Sequence, residues 1–450
     1  MKLAHAACVI FLVALGQTGC AGHADKTLAA RNALDAGDPR GALKALDESL
    51  DVKSEQDLPE KVGGDNSLLL LDRAMVLQEL NQYPLSSRDL EISDKEIQVL
   101  DFSANAAADI GRYLFSDDVG PYKAPAYEKL MINTMNMMNY LARSDLNGAR
   151  IEARRLAVMQ KFIRDTGDAA QALIGPGSYL AGFVFEKSGK PNEALRYYDD
   201  ALAFGQYQSL AEPIRRLSQQ GDYSSPRFRQ LLSQYPAPEP SAADAPQDDD
   251  AEVLVLVNFG RVPAKIAKRI PIGLALTYAS AFISPANAAQ ANRLALQGLV
   301  TWVNYPELEE PRSSYGRPTF MLDGQWARLE GMLAVDQEAK RAWEKARGAI
   351  VASAITRTIT RVLAGAAVNE AGGGGTLGAI LSLGTQITLT AADTPDTRNW
   401  STLPARIAFG RVRIKAGAHT LTLTAPGGNK RQTVNVPARG WAVVCLTALN

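Results

Sequence analysis

The chain has 450 residues, 46% of them hydrophobic and 21% charged, with 48 basic side chains balanced by 48 acidic ones. That composition is globular and excludes collagen-like, coiled-coil and wholly disordered chains; at roughly 100–200 residues per domain the length allows two or three cores. The zero net charge is a sum of opposites. Residues 1–250 hold 26 Lys and Arg against 36 Asp and Glu, a net of −10, whereas 251–450 hold 22 against 12, a net of +10. Such asymmetry bears on partners and puts a boundary near residue 250.

Met1-Lys2 is a short positive start, and the apolar run 6–16 is too short to span a bilayer but fits a secretory signal. The run ends in Gln17-Thr18-Gly19-Cys20, which resembles the bacterial lipobox, with Gln17 where an aliphatic residue is usual. That resemblance implies a signal peptide over 1–19, a lipidated N-terminus over 20–25 beginning at a diacylated Cys20, and, with Ala21 next, an outer-membrane anchor facing the periplasm. Two acyl chains anchor stably where one is marginal. The alternative is ordinary signal cleavage after Ala24. Cys8 leaves with the signal, so Cys445, in an apolar strand-like run, is expected to be a buried thiol. The stretches 348–368 and 371–392 read as helices packed on protein; Arg357 and Arg361 interrupt the first, and glycines and polar residues dilute the second.

From 26 to 235 the apolar periodicity is helical. Four polar turns are each followed, five residues after their first position, by a small residue opening a new helix: Gly37 with Ala42, Asn81 with Ser86, Ser144 with Ala149, and Gly189 with Ala194. The segment 182–202 resembles half of a tetratricopeptide repeat. The spacing predicts a degenerate TPR-like array of helical hairpins, which usually presents a concave binding surface. Residues 236–250, Pro- and Asp-rich, read as a linker about which the halves reorient.

Beyond the linker, 251–450 reads as an α+β domain: strands at 252–258 and 261–270, then 405–414, 419–424, 432–436 and 441–446, forming one antiparallel sheet interrupted by a helical insert over 331–392 with a turn at 372–375. Lys265, Lys268 and Arg269 on one strand, and Arg411, Arg413 and Lys415 alternating on another, are a possible basic surface.

Catalytic signatures are missing. His419, on a strand beside a turn, is the one histidine clear of the signal region, and no nucleophile elbow, Cys-x-x-Cys, Ser-x-x-Lys or phosphate loop occurs. No metal or cofactor is expected. Carboxylates alone can hydrolyse a glycan, but the adjacent pairs Asp117-Asp118 and Asp199-Asp200 point apart and look solvated. The Met-rich run 130–138 suits core packing. Nucleic acid is excluded as a partner outside the cytoplasm.

Tyr127-Glu128, Ala149-Arg-Ile-Glu-Ala-Arg-Arg155, Tyr179-Leu-Ala-Gly182, Gly260-Arg-Val-Pro263-Ala-Lys265 and Asp396-Thr-Arg398-Asn-Trp400-Ser-Thr-Leu403-Pro404 follow in an order similar to that of a poorly characterised family of Gram-negative outer-membrane lipoproteins. The resemblance covers most of the mature chain and implies TPR-type hairpins plus a C-terminal β domain. It also implies an envelope or cell-wall role, without catalytic residues. Physically, Asp396, Arg398, Trp400 and Pro404 suit a structural corner, with Arg398 on Asp396 or a helix end and Trp400 capping the core. The sequence thus leads to a non-enzymatic, lipid-anchored periplasmic scaffold binding an envelope protein, with a glycan- or peptidoglycan-binding module as alternative and a carboxylate hydrolase as a weaker one.

Overall fold

The computed structural model describes residues 22–101, 122, 124–166, 173–236, 250–310, 316–371 and 395–450. Cys20, Asp117-Asp118, most of the linker and the helix expected over 376–392 lie outside the described residues. Eight helices form four hairpins: α1 (His23–Asp35) with α2 (Pro39–Ser49), α3 (Asp65–Glu79) with α4 (Tyr83–Asp101), α5 (Ala126–Ala142) with α6 (Leu146–Thr166), and α7 (Ile174–Lys187) with α8 (Pro191–Phe204). Two short helices follow, α9 (Ala211–Leu217) and α10 (Pro226–Gln234).

The four turns are copies of one device. Gly37, Asn81, Ser144 and Gly189 all have φ between 60° and 72°. The N–H after each reaches back five residues to a helix carbonyl: Asp38 to Ala33, Gln82 to Leu77, Asp145 to Tyr140 and Lys190 to Phe185. This is the Schellman closure of a helix C-terminus. Asp38 and Asp145 then cap the next helix through Gly41 and Gly148 N–H. The small residues Ala42, Ser86, Ala149 and Ala194 are fully buried at the helix crossings.

Among the described residues the strands make three sheets, not one. The first, in order β10 (Trp441–Ala448), β1 (Asp250–Phe259), β7 (Arg406–Lys415), β6 (Glu330–Ala334), is mixed, because β1 runs parallel to β10 and antiparallel to β7. The second, in order β5 (Gln325–Ala327), β4 (Thr319–Leu322), β8 (Gly417–Ala425), β9 (Gly428–Val436), is antiparallel. The third is a ribbon of β2 (Lys265–Pro271) and β3 (Trp302–Leu308). The expected insert therefore begins as strand β6, and its helix is α13 (Val335–Ala371).

Alternation along β1 explains the layering. Val253, Val255, Val257 and Phe259 pack with Phe320, Leu421 and Leu423 of the second sheet, whereas Leu254 and Leu256 join the helical core with Ile407, Phe409 and Cys445. At the centre of the mixed sheet β1 is thus buried on both faces, which is why it reads as an unbroken apolar run. Helices α3, α5 and α7 are buried almost all round, Met131, Met135, Met137 and Met138 included, while α2, α4, α6 and α8 bury only one side. The layers run outer helices, inner helices, mixed sheet, second sheet. The side of the array expected to be an open groove is filled by the chain's own sheet, and the two halves share one core. A separate cluster joins the ribbon to α11 (Ile272–Ala279), α12 (Pro285–Leu296) and α13.

Candidate functional site

The segment 396–404 is the keystone between the halves. Trp400 is 0% exposed; its indole N–H donates to the Leu71 carbonyl at 3.0 Å and its backbone N–H to Glu128 Oε1 at 3.1 Å. Glu128 also accepts from the hydroxyls of Tyr122 and Tyr127. Burial pushes its carboxyl up against the lowering effect of these donors. Next to Leu71 on α3, Asp72 accepts from Ser401 Oγ (3.2 Å), Thr402 N–H (2.9 Å) and Thr402 Oγ1 (2.9 Å), while His23 Nε2 lies 3.2 Å from its other oxygen. Arg398 grips Asp396 with two nitrogens (2.8 and 2.9 Å) and reaches Asp65 in the first turn of α3 at 3.4 Å. Pro404 is buried beside Leu403. Arg398 and Trp400 thus hold this segment as a corner whose other wall is the helical half, through α3 and α5.

A second buried network crosses the seam at Arg411. Its guanidinium bonds Glu186 (2.7 and 2.9 Å), Glu252 and the Tyr198 hydroxyl (2.9 Å), and Lys187 bridges both carboxylates. Burial alone would raise the Glu186 carboxyl, but Arg411, Lys187 and Arg216 hold it well below the usual carboxylate range.

The expected basic surface is therefore corrected. Period two does put Arg411, Arg413 and Lys415 on one side of β7, but that side faces the helices, so the Arg411 side chain is 2% exposed. Arg413 pairs with Asp250 at 2.5 Å and lies 3.7 Å from Glu212. Lys415 is exposed at the end of β7, opposite Asp250 in register. Lys265 donates to the Arg398 carbonyl at 3.0 Å, and Lys268 and Arg269 are exposed on the separate ribbon. The six residues expected to form one basic surface are thus divided between β7, at the seam with the helices, and the separate ribbon.

Asp199 is also corrected: it is buried and accepts from Tyr223, Ser225 and Arg227, an internal bracket and not a solvated face. Asp200 pairs with Arg164 at 2.9 Å. His419 lies 2.7 Å from Asp323 and 2.8 Å from the Lys415 carbonyl. Cys445 is buried, its thiol pushed up to about 12 by desolvation. Among the described residues no group of three His, Cys, Asp or Glu side chains is arranged to hold a metal ion, and no helix is long and apolar enough to cross a membrane.

Sequence reasoning also missed a cleft. It measures about 370 Å³ and opens at the seam between the array and β6, lined by Phe204, Tyr207, Tyr235, Arg328, Glu330 and Met332. Glu330 accepts Ser209 N–H at 3.1 Å, and burial raises its carboxyl. Its residues come from segments more than 90 apart, so no local motif marks it. Compared with known families and curated proteins, the chain matches no family model and no curated sequence.

Proposed function

We propose that this protein is a non-enzymatic scaffold of the bacterial envelope, lipid-anchored through Cys20 to the outer membrane and facing the periplasm. In this reading it belongs with the lipoproteins its motifs resemble, its array is a degenerate TPR-like one, and it binds an envelope protein connected with cell-wall synthesis. With the inner side of the array filled, the partner is met on the outer helices. The observation that carries this is α6, where Ile151 and Val158, two turns apart, are 51% and 69% exposed. Anchoring draws support from α1, which starts at His23 with that side chain sealed against Asp72. A chain beginning at Cys20 keeps this contact, whereas cleavage after Ala24 discards it.

Ile151→Asp with Val158→Asp is expected to abolish cross-linking to an envelope protein in membranes while leaving the melting temperature unchanged. Unaltered cross-linking refutes the surface. Cys20→Ser is expected to release the protein from the outer-membrane fraction; continued sedimentation there refutes lipid anchoring. The aromatic and charged lining of the 370 Å³ cleft favours a second reading, a glycan- or peptidoglycan-binding module. Sedimentation with purified sacculi that Tyr235→Ala removes would select it.

A further inference from the structure

The positive charge of the C-terminal half has a definite location. Residues 264–306 and 345–369, which supply β2, most of β3, α11, α12 and most of the distal part of α13, contain eight Lys and Arg and no Asp or Glu; Glu370 follows in the last turn of α13. Acidic residues return where the lobe joins the body: Glu307 accepts the Trp343 indole N–H at 3.2 Å, and Glu309 pairs with Arg31 of α1 at 3.2 Å. The Lys265 end of the ribbon is tied to the body through Asn399. The opposite end, where Pro271 pairs with Trp302, is the tip.

At that tip the lobe turns apolar side chains outward. Leu296 is 91% exposed and Trp302 45%, with Leu299 and, one turn into α11, Leu274 also exposed. They belong to one end: Ile272 N–H bonds the Thr301 carbonyl, and Leu299 N–H bonds the Leu294 carbonyl. Lys268, Arg269 and Arg293 are exposed within a few residues of them. Leucines and a tryptophan flanked by cations, with no acid, match the physics of a surface that sits in a bilayer interface. Apolar tips enter the headgroup boundary, the indole lies at its polar edge, and each cation gains from an anionic leaflet. An acidic protein would need a pocket shaped for each of four separate apolar tips, whereas a bilayer interface takes them with no shaped partner and supplies the anionic charge as well.

We propose that the tip formed by Leu274, Leu296, Leu299 and Trp302, with Lys268, Arg269 and Arg293, docks on an anionic phospholipid surface. The contact is interfacial and does not require the Cys20 anchor, so the two ideas fail separately. The test uses the full chain carrying Cys20→Ser, to remove any acyl contribution, with vesicles of phosphatidylcholine alone or containing phosphatidylglycerol.

Binding is expected only to the phosphatidylglycerol vesicles, with a blue shift in emission that Trp302→Phe removes. Neutralising Lys268, Arg269 and Arg293 to Gln should weaken binding about fivefold per charge, and Leu296→Ser about tenfold. Leu296 is so exposed that its replacement leaves folding untouched, which circular dichroism checks. Equal binding to both vesicle types, binding indifferent to these variants, or no vesicle binding overturns the proposal. Capture of an acidic protein in the absence of vesicle binding would reassign the tip to a protein and overturn it equally.

Discussion

Arg411 lies where Glu186 of α7 and Glu252 of β1 face each other across the seam, and its replacement leaves these two buried carboxylates sharing Lys187, with Arg216 on Glu186. Breaking a buried ion pair from one side costs about 3–5 kcal/mol, against less than about 1 for an exposed pair. Arg411→Met is therefore expected to shift the urea midpoint strongly down and Arg413→Met hardly at all. Glu152 adds a pH dependence. It is 2% exposed, and burial, only partly opposed by the Asn133 hydrogen bond and Arg155, pushes its carboxyl up to about 7. A carboxyl raised on folding contributes stability that is full below its unfolded pKa, near 4.5, and is lost as pH rises through about 7. Unfolding free energy should thus fall from pH 5 to pH 8, and Glu152→Gln should flatten that fall by about 1–3 kcal/mol. The alternation of Arg411 was legible in the sequence. Its burial was not, because Glu186 lies 225 residues away.

Among the elements, the four hairpins were the most legible, since a left-handed residue, a Schellman closure and a small crossing residue are all local chemistry. The same closeness makes them brittle. A Cβ on Gly182 would come within 2.3 Å of the Tyr198 ring. Gly182→Ala is expected to cost about 1–3 kcal/mol through overpacking, seen as a lower melting temperature. The strand assignments of β1, β7, β8 and β10 were also legible from their period. Their partners were not: whether β10 runs parallel or antiparallel to β1 depends on a path of nearly two hundred residues, and β3 to β6 are too short or too mixed in pattern to stand out from coil. Of the keystone, Trp400 and the Arg398 contact with Asp396 were readable within one segment, whereas Leu71, Asp72 and Glu128 came from helices far upstream.

For the whole molecule, opposite charges are spent partly on each other. Arg261 pairs with Asp35, Arg398 with Asp65, Arg411 with Glu186 and Arg413 with Glu212, each joining the basic half to the acidic one. Beneath them lies a continuous apolar core drawing on both halves. Reorientation about the linker would break both. Cutting the chain at a protease site engineered within 237–249 is expected to leave the two fragments co-eluting, even in high salt, because buried pairs are little screened and apolar contacts are not weakened. Separation of the fragments would show that the shared core is too weak to hold them.

The sequence by itself determined the charge division, the hairpin turns, the apolar strands and the motif order, because each is written in neighbouring residues or in simple sums. Tertiary structure alone decided that the two halves form one body, that the sheet occupies the inner side of the array, and that the surviving positive charge belongs to the lobe and not to β7. Those outcomes turn on which distant side chains desolvate one another. A charge on a strand is a surface feature or a core feature according to the carboxylate that packing brings to it, and the chain's own order of residues does not carry that information.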